Sequence, residues 1–286
     1  MNWLNDLQAL EEFEDCDFNA DLVRAFEKNA GTALSRPIRF STPSFKEFDS
    51  DELKGCSQNS FPAFSITGGA CALMCDHCQA NILKPMIPVT SPEALDQKVR
   101  DLVMLQNLQG FLLSSGSNRK NEIPYERFYP VVEKLKRDYP FLKVAIHTAL
   151  LDEQRAKLME SAGVDTAMMD VIGAQETIRD VYHLDRPVDD FEATLAALCT
   201  TKMEIVPHIV IGLHYGRILG EANALDIVAR YGVHALVLVV LMPFYAKANM
   251  FLTPEEADVG QIFLEARSRL PEKEVLLGCA RPVGLH

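Results

Sequence analysis

The sequence predicts an α/β fold, a partial (β/α)6-type TIM barrel preceded by an N-terminal extension. From about Phe61 onward, short apolar runs rich in β-branched residues alternate with longer amphipathic segments, the pattern of parallel strands joined by helices. Right-handed crossovers wrap such a sheet into a full or partial barrel, and 286 residues is an ordinary length for one barrel domain. We therefore assign residues 1–60 to the extension and residues 61–286 to the barrel.

Seven segments of the barrel region have the composition of strands. Each is a short run rich in aliphatic and β-branched residues, which is typical of a parallel sheet that is buried on both faces. The predicted strands are Ala63–Thr67, Gly110–Ser114, Lys143–His147, Thr166–Val171, Glu204–Ile211, Ala235–Leu241 and Glu274–Leu277.

The segments between these strands have helical periodicity. In two of them a hydroxyl side chain precedes Pro at the first helical position, which predicts helix starts at Ser91-Pro92-Glu93 and Thr253-Pro254-Glu255. Further crossover helices are predicted at Tyr125–Arg137, Asp152–Ser161, Asp189–Leu198 and Gly220–Tyr231.

Composition and charge exclude several classes of protein. With 28 Lys and Arg against 40 Asp and Glu, the net charge of −12 is the wrong sign for binding nucleic-acid phosphates. Apolar runs such as Ala235–Phe244 are far shorter than the ~20 residues of a membrane helix. Acidic residues come early in the chain, where a signal peptide would have a basic region. We therefore expect a cytoplasmic protein without nucleic-acid or membrane partners.

Three of the seven cysteines lie within eight residues, directly after the first predicted strand: Cys71, Cys75 and Cys78. An odd number of cysteines in a reducing compartment argues against a disulfide framework. Thiolates are the soft ligands that iron–sulfur clusters require, and three of them on one loop leave one iron of a [4Fe–4S] cluster open. Zinc is the alternative, but zinc sites of this kind have a second Cys or Cys/His pair, and the sequence has no matched one.

The spacing Cys-x3-Cys-x2-Cys after a first strand resembles the radical S-adenosylmethionine (SAM) superfamily. The resemblance implies that the open iron chelates SAM, and that one-electron reduction cleaves SAM into methionine and a 5′-deoxyadenosyl radical. It also implies an electron donor such as ferredoxin or flavodoxin. The family has an aromatic or apolar residue before the third cysteine, where this chain has His77, whose backbone would contact adenine.

The same resemblance implies a set of SAM contacts at the ends of the strands. Small residues at the end of the second predicted strand would receive the SAM amino group, although the family's acid is missing and a simple turn is the alternative. The ribose and carboxylate of SAM would meet Asp170 and Glu176, and adenine would meet Ile211 and Gly212. The complete set is His77, Ser114, Ser115, Gly116, Ser117, Asp170, Glu176, Ile211, Gly212, Arg217 and Met242.

Several of these residues have a structural alternative. Glu176 has the position of an acid that complements a helix dipole, Arg217 that of a surface salt bridge, and Met242 that of a core side chain. His147 and His208 lie on apolar strands, where a hydrogen-bonded core imidazole is commoner than a catalytic one. His214, beyond the strand end, is better placed to contact substrate, and no residue is assigned a catalytic role.

The remaining cysteines fall into two groups. Cys199, inside a helical run, is interpreted as a small buried apolar residue. Cys279, Cys56 and Cys16, in decreasing order of support, are candidate ligands of an auxiliary iron–sulfur cluster, with Arg281 as a neighbour. The alternative is that these three are unrelated free thiols.

Four further segments of the barrel region carry a closer resemblance: Ser65–Gly68, Ile82–Lys84, Pro207–His214 and Gly278–Pro282. With them, residues 61–284 resemble the biotin-synthase-like branch, and in particular a subunit of the archaeal-type two-component lipoyl synthases. The resemblance implies insertion of sulfur from an auxiliary cluster into an octanoyl chain, with an octanoylated lipoyl carrier protein and a second radical SAM protein as partners. Ordinary lipoyl synthase has an N-terminal three-cysteine run and a C-terminal Arg-Ser-Ser motif, and this chain has neither.

Three alternatives to this function stay open. The first is a mutase or methylase-type radical SAM enzyme with a single cluster. The second is a biotin-synthase-like insertion of sulfur into a small molecule. The third is a zinc or iron–sulfur binding module without enzymatic activity. The sequence does not identify the substrate.

Overall fold

The computed structural model describes Arg24, residues 60–105 and residues 108–278. In these residues eight strands form one sheet, and every neighbouring pair is parallel. The strands are β1 (Ala63–Ser65), β2 (Ile87–Pro88), β3 (Gly110–Ser114), β4 (Lys143–Thr148), β5 (Thr166–Asp170), β6 (Glu204–Ile211), β7 (Ala235–Val240) and β8 (Glu274–Leu277).

The strand order is β2-β1-β3-β4-β5-β6-β7-β8, with β2 and β8 at the two edges. The sheet is therefore open, and the predicted α/β partial barrel is confirmed. All seven predicted strands are present, with ends that differ by at most two residues. Sequence reasoning missed β2, because two residues that include Pro88 give no strand pattern, although Pro is tolerated on an edge strand.

From β2 onward, α-helices connect each strand to the next along the chain and pack on the outer face of the sheet. The crossover from β5 to β6 contains two helices, the first of them a short one that was not predicted. The helices of the described barrel residues are α1 (Pro92–Leu105), α2 (Tyr129–Asp138), α3 (Glu153–Ser161), α4 (Gln175–Asp180), α5 (Val188–Cys199), α6 (Glu221–Ala229) and α7 (Glu256–Arg269). None of the helices in these ranges has both the length and the apolar character needed to cross a membrane.

Alternation along each strand separates a buried face from a concave face, because successive side chains point to opposite sides of a sheet. On β6, Ile205, Ile209 and Ile211 are at most 2% exposed and belong to the apolar core under the helices. His208 and Val210, between them, are half-buried. The concave face and the carboxyl ends of the strands are therefore accessible for a functional site, as in other parallel barrels.

One of the two predicted helix starts is confirmed and the other is wrong. The Ser91 hydroxyl accepts a hydrogen bond from the Ala94 amide (3.2 Å), and α1 begins at Pro92. The helix expected at Thr253-Pro254 begins instead at Glu256. Pro254 packs so tightly on Gly212 that a Cβ atom at Gly212 would lie 2.2 Å from the Pro254 ring. This contact holds Pro254 in the loop before the helix.

The predicted extension, residues 1–60, lies outside the described residues except for Arg24 and Ser60. The boundary at residue 60 therefore stays a prediction.

The fully buried Ile146 of β4 tests how much the sheet core stabilises the fold. We expect Ile146→Ala to lower the free energy of unfolding by about 2–5 kcal/mol, because the lost methyl and methylene groups leave a cavity. Leu264→Ala on α7, where Leu264 is 67% exposed, should change it by less than about 0.5 kcal/mol. Urea denaturation followed by circular dichroism measures both, and equal losses would contradict the assigned core.

Candidate functional site

The three clustered cysteines lie on the loop between β1 and β2, at the carboxyl end of β1. Cys75 is 4% exposed, while Cys71 and Cys78 are half-buried. Met74, Gln79 and Ala80 have positive φ angles of 47°, 47° and 57°, a conformation that is uncommon for residues other than Gly. The loop therefore makes tight turns beside Cys75 and Cys78.

The chemistry of the three thiols fits a cationic metal cluster. Burial raises the pKa of the Cys78 thiol to about 11, and the nearby Cys71 adds to this effect. Burial and the neighbouring Cys78 and Cys71 raise the pKa of Cys75 well above its usual value. Three thiolates this close repel one another unless a cation holds them, since the coordinating metal is what stabilises the deprotonated thiol.

The three loop sulfurs do not all have the spacing of ligands to one zinc ion. Among the described residues, one group of three potential metal ligands has all its ligand atoms within 4.8 Å of one another. The group consists of His147, Asp170 and His208. The three loop sulfurs are neighbours but do not all lie within 4.8 Å of one another. Sulfur ligands of one tetrahedral zinc ion, each about 2.3 Å from the metal, would lie about 3.8 Å apart.

Asp76 anchors the cysteine loop to two other loops. Its carboxylate is buried and lies 3.2 Å from Nε2 of His183 and 3.6 Å from Nζ of Lys247. Its backbone carbonyl accepts a hydrogen bond from the Lys247 amide (2.7 Å), and its amide donates to the carbonyl of Val181 (2.9 Å). The loops that follow α4 and β7 thus both hold the residue next to Cys75.

The predicted SAM-amino segment, Ser114–Ser117, packs directly against the start of the cysteine loop. The Ala72 amide donates to the Ser117 carbonyl (2.9 Å), and the Gly116 amide donates to the Thr67 hydroxyl (2.9 Å). A Cβ atom at Gly116 would lie 2.1 Å from the carbonyl oxygen of Ala70. Only Gly fits here, so the close approach of the two loops depends on this residue.

At the end of β6, Gly212 has a φ of +79° and its amide donates to Oε1 of Glu221 (2.8 Å). Glu221 is 3% exposed, and its Oε2 is buried without a hydrogen-bond partner among the described residues. Burial raises the pKa of this carboxyl. The side chain of Ile211 lies in the core, so only its backbone is left to reach the predicted adenine position.

Asp170 meets two imidazoles on the concave face. Its Oδ1 lies 3.7 Å from Nε2 of His147 and 4.0 Å from Nδ1 of His208, and those two nitrogens are 3.2 Å apart. Burial would raise the pKa of Asp170, but the nearby imidazoles of His147, His208 and His77 outweigh it and lower the pKa to about 2. Burial lowers the pKa of His208 to about 4, with His147 adding to the effect.

Two further polar groups lie near Asp170. The rings of His77 and Tyr182 have centroids 4.9 Å apart, and both side chains interact electrostatically with Asp170. Nδ1 of His77 and the hydroxyl of Tyr182 are buried without a hydrogen-bond partner among the described residues. Such a group costs about 1–3 kcal/mol when it stays unpaired, so a bound molecule that pairs with them would be stabilising.

The other predicted site residues lie further out or outside the described ranges. Glu176 is exposed in the first turn of α4, and Arg217 is exposed on the loop after β6, while Met242 is half-buried directly after β7. Cys199 is half-buried and packs against the core, as interpreted from the sequence. The candidate auxiliary ligands and their neighbour lie outside the described residues: Cys16, Cys56, Cys279 and Arg281.

Sequence reasoning missed Asp76 and Tyr182 and did not bring His147, Asp170 and His208 together. Asp76 gave no signal, because its partners lie more than 100 positions away. The three concave-face residues did give a signal, because they come from three consecutive predicted strands. His147 and Asp170 lie at or next to the carboxyl ends of their strands, and His208 lies in the second half of its strand. In a parallel sheet such positions are neighbours.

Solved structures with a similar fold include three proteins of different activity. The [FeFe]-hydrogenase maturase HydG from Carboxydothermus hydrogenoformans has 18% sequence identity and a TM-score of 0.57, over 78% of this chain and 54% of that chain. Methylornithine synthase, PylB, has 12% identity and a TM-score of 0.53, over 80% and 74%. A radical SAM methyltransferase from Sphaerobacter thermophilus has 15% identity and a TM-score of 0.56, over 75% and 64%.

No family model and no curated protein matches the chain. The structural similarities establish the fold, an open parallel α/β barrel shared with a radical SAM methyltransferase. The chain spans about half the length of the HydG structures that it matches.

Asp76 provides a test of how the cysteine loop is held. We expect Asp76→Asn to lower the iron retained per chain after reconstitution by about tenfold or more, because loss of a group that positions metal ligands typically costs about 10–100-fold. The control is Asp138→Asn, whose carboxylate pairs with Arg100 at the end of α2, away from the carboxyl ends of the strands. Equal iron retention in both variants would show that the Asp76 ion pairs do not position the loop.

Proposed function

We propose that this protein is a radical SAM enzyme that uses a [4Fe–4S] cluster and SAM. The observation that carries the proposal is the convergence of the Cys71, Cys75 and Cys78 thiols on one loop at the carboxyl end of β1. The fold agrees with it, because a radical SAM methyltransferase has the same architecture. The donor set also agrees, since three thiolates leave one iron of a cubane for another ligand.

When bound, the cluster and SAM would supply a 5′-deoxyadenosyl radical. The chain's own residues would then bind the cluster and SAM, position them and enclose the reacting groups. The thiolates of the loop would hold the cluster, and Asp76 fixes the loop through its contacts with His183 and Lys247. The packing of Gly116 against Ala70 brings the Ser114–Ser117 segment to the loop, where it would receive the amino group of SAM.

Residues at the ends of β5 and β6 would complete the SAM site. Gly212, fixed by Glu221, lies at the end of β6 beside the predicted adenine contact Ile211. Asp170 lies at the end of β5 and interacts electrostatically with Cys75, Cys78 and His77 of the cysteine loop. A SAM molecule bound to the cluster would therefore lie over the carboxyl ends of these strands.

We expect the anaerobically reconstituted protein to form 5′-deoxyadenosine from SAM when a strong reductant is added. Cys75→Ala removes a cluster ligand and should lower the rate more than about 100-fold, since even groups outside the ligand shell cost 10–100-fold. Cys199→Ala, which removes a half-buried thiol on α5, should leave it unchanged. Liquid chromatography with mass detection measures the product, and equal rates in the two variants would overturn the proposal.

We further propose that the radical serves to insert sulfur into an unactivated carbon–hydrogen bond of an octanoyl chain on a carrier protein. The support is the resemblance of residues 61–284 to the two-component lipoyl synthases, together with three cysteines beyond the loop that are available as auxiliary ligands: Cys16, Cys56 and Cys279. A ferredoxin or flavodoxin would supply the electron. A second radical SAM protein would act on the other carbon of the chain.

A single-cluster enzyme is the second candidate. The observation that favours it is the range of activities among structures with this fold, which include a synthase and a methyltransferase. The two candidates differ in the sulfur donor. Sulfur insertion requires a second cluster, whereas a mutase or methylase-type reaction requires only the cluster at Cys71, Cys75 and Cys78.

For sulfur insertion, we expect iron and sulfide contents close to two clusters per chain. Cys279→Ser should lower both, because it removes a predicted auxiliary ligand, whereas Cys199→Ser should not. Mass analysis of an octanoylated carrier, incubated with the protein alone and with a second radical SAM protein, should show the added sulfur. A single-cluster iron content that Cys279→Ser does not lower, with no thiolated product, would favour the second candidate.

A further inference from the structure

A second group of metal-binding side chains lies on the concave face of the sheet, separate from the cysteine loop. His147 lies near the end of β4, Asp170 ends β5, and His208 lies on β6 in register with Asp170. The exposed fractions of the three side chains are 26%, 33% and 16%. They are therefore enclosed by the barrel and still open to an ion that enters it.

The distances between their ligand atoms fit one metal ion. Two atoms that are each about 2.1 Å from the same ion lie at most about 4.2 Å apart. The separations here are 3.2 Å between the two imidazole nitrogens, and 3.7 and 4.0 Å from these to Oδ1 of Asp170. In the described part of the chain, these three side chains form a group of ligand atoms within 4.8 Å of one another.

We propose that His147, Asp170 and His208 bind one divalent transition-metal ion, with Zn²⁺ or Fe²⁺ as the fitting class. The two imidazole nitrogens are ligands of intermediate softness that suit these ions, which also accept a carboxylate oxygen. Ca²⁺ and Mg²⁺ prefer all-oxygen sites. Three protein ligands leave coordination positions open. This is the arrangement of a catalytic metal site, since structural zinc sites use four protein ligands.

The surroundings of Asp170 provide independent support for a bound ligand. Nδ1 of His77 and the hydroxyl of Tyr182 are buried without a hydrogen-bond partner among the described residues, and both side chains interact with Asp170. Water molecules or substrate oxygens on the open positions of the metal would supply such partners. A simple hydrogen bond between the two histidines explains their contact but leaves these two groups unpaired.

The open positions of the metal would point into the barrel. Asp170 lies close enough to the cysteine loop to interact with Cys75 and Cys78, so a molecule on the metal would lie between the two sites. The open positions would fit an oxygen of a bound molecule, such as a carbonyl or carboxylate oxygen, and would fix its orientation. Binding of the ion itself depends on His147, Asp170 and His208 and not on any radical chemistry.

The test uses the full chain with its iron–sulfur cluster reconstituted, incubated with Zn²⁺ and then desalted. We expect about one Zn²⁺ per chain beyond the iron, and at least a tenfold lower zinc content in His208→Gln and His147→Gln. The control is His234→Gln, which changes an exposed histidine at the amino end of β7. Zinc contents that are the same in all four proteins would overturn the proposal.

X-ray absorption at the zinc edge needs no variant and provides a second measurement. The expected spectrum has nitrogen and oxygen neighbours at about 2.0–2.1 Å with the signature of two imidazoles, whereas sulfur neighbours at about 2.3 Å would place zinc on the cysteine loop and overturn the proposal. Formation of 5′-deoxyadenosine is measured on the same sample. Its presence without bound zinc rejects the metal site alone, and its absence with imidazole-bound zinc rejects the radical SAM function alone.

Discussion

The parallel arrangement of the strands is the constraint on which the candidate site depends. Every strand runs in the same direction, so all carboxyl ends lie on the same side of the sheet. The loop after β1, the segment after β3 and the ends of β4, β5 and β6 are therefore close together there. The cysteine loop therefore lies close to Asp170, although about 90 positions of sequence separate them. If one of these strands were antiparallel to its neighbours, its carboxyl end would lie on the opposite side of the sheet.

The cysteine loop carries an electrostatic cost that the rest of the structure must offset. Burial and mutual repulsion raise the pKa of Cys75 and Cys78, and the buried carboxylate of Asp76 adds another negative charge to the loop. Partners from two other loops, His183 and Lys247, surround that carboxylate. His183 and Lys247 thus balance the charge of Asp76, and a bound metal cluster would neutralise the charge of the thiolates.

The two faces of the sheet differ in polarity, and the candidate functional side chains lie on the concave face. Outward-facing side chains of the central strands, such as Ile146 and Ile211, are fully buried under the helices. Polar side chains occur on the other face near the carboxyl ends, where His147, Asp170 and His208 meet. A hydrogen-bonded or metal-bound polar group is tolerated there because the interior of the barrel stays accessible to water and ligands.

Patterns of neighbouring residues were enough to predict most of the strands and the cysteine loop. Hydrophobic periodicity predicted seven strands, because alternation and helical spacing are properties of neighbouring residues. The cysteine spacing in the same way predicted a loop that binds a cluster. Such patterns failed where the local structure depends on a contact with a distant residue. Pro254 packs on Gly212, and α7 begins only at Glu256. Ile87–Pro88 forms a strand because it pairs with the edge of the sheet at β1. Only the tertiary structure brought His183 and Lys247 to Asp76, and the two imidazoles to Asp170. Those contacts join residues on different strands and loops, whose proximity follows from the register of the sheet and not from spacing along the chain.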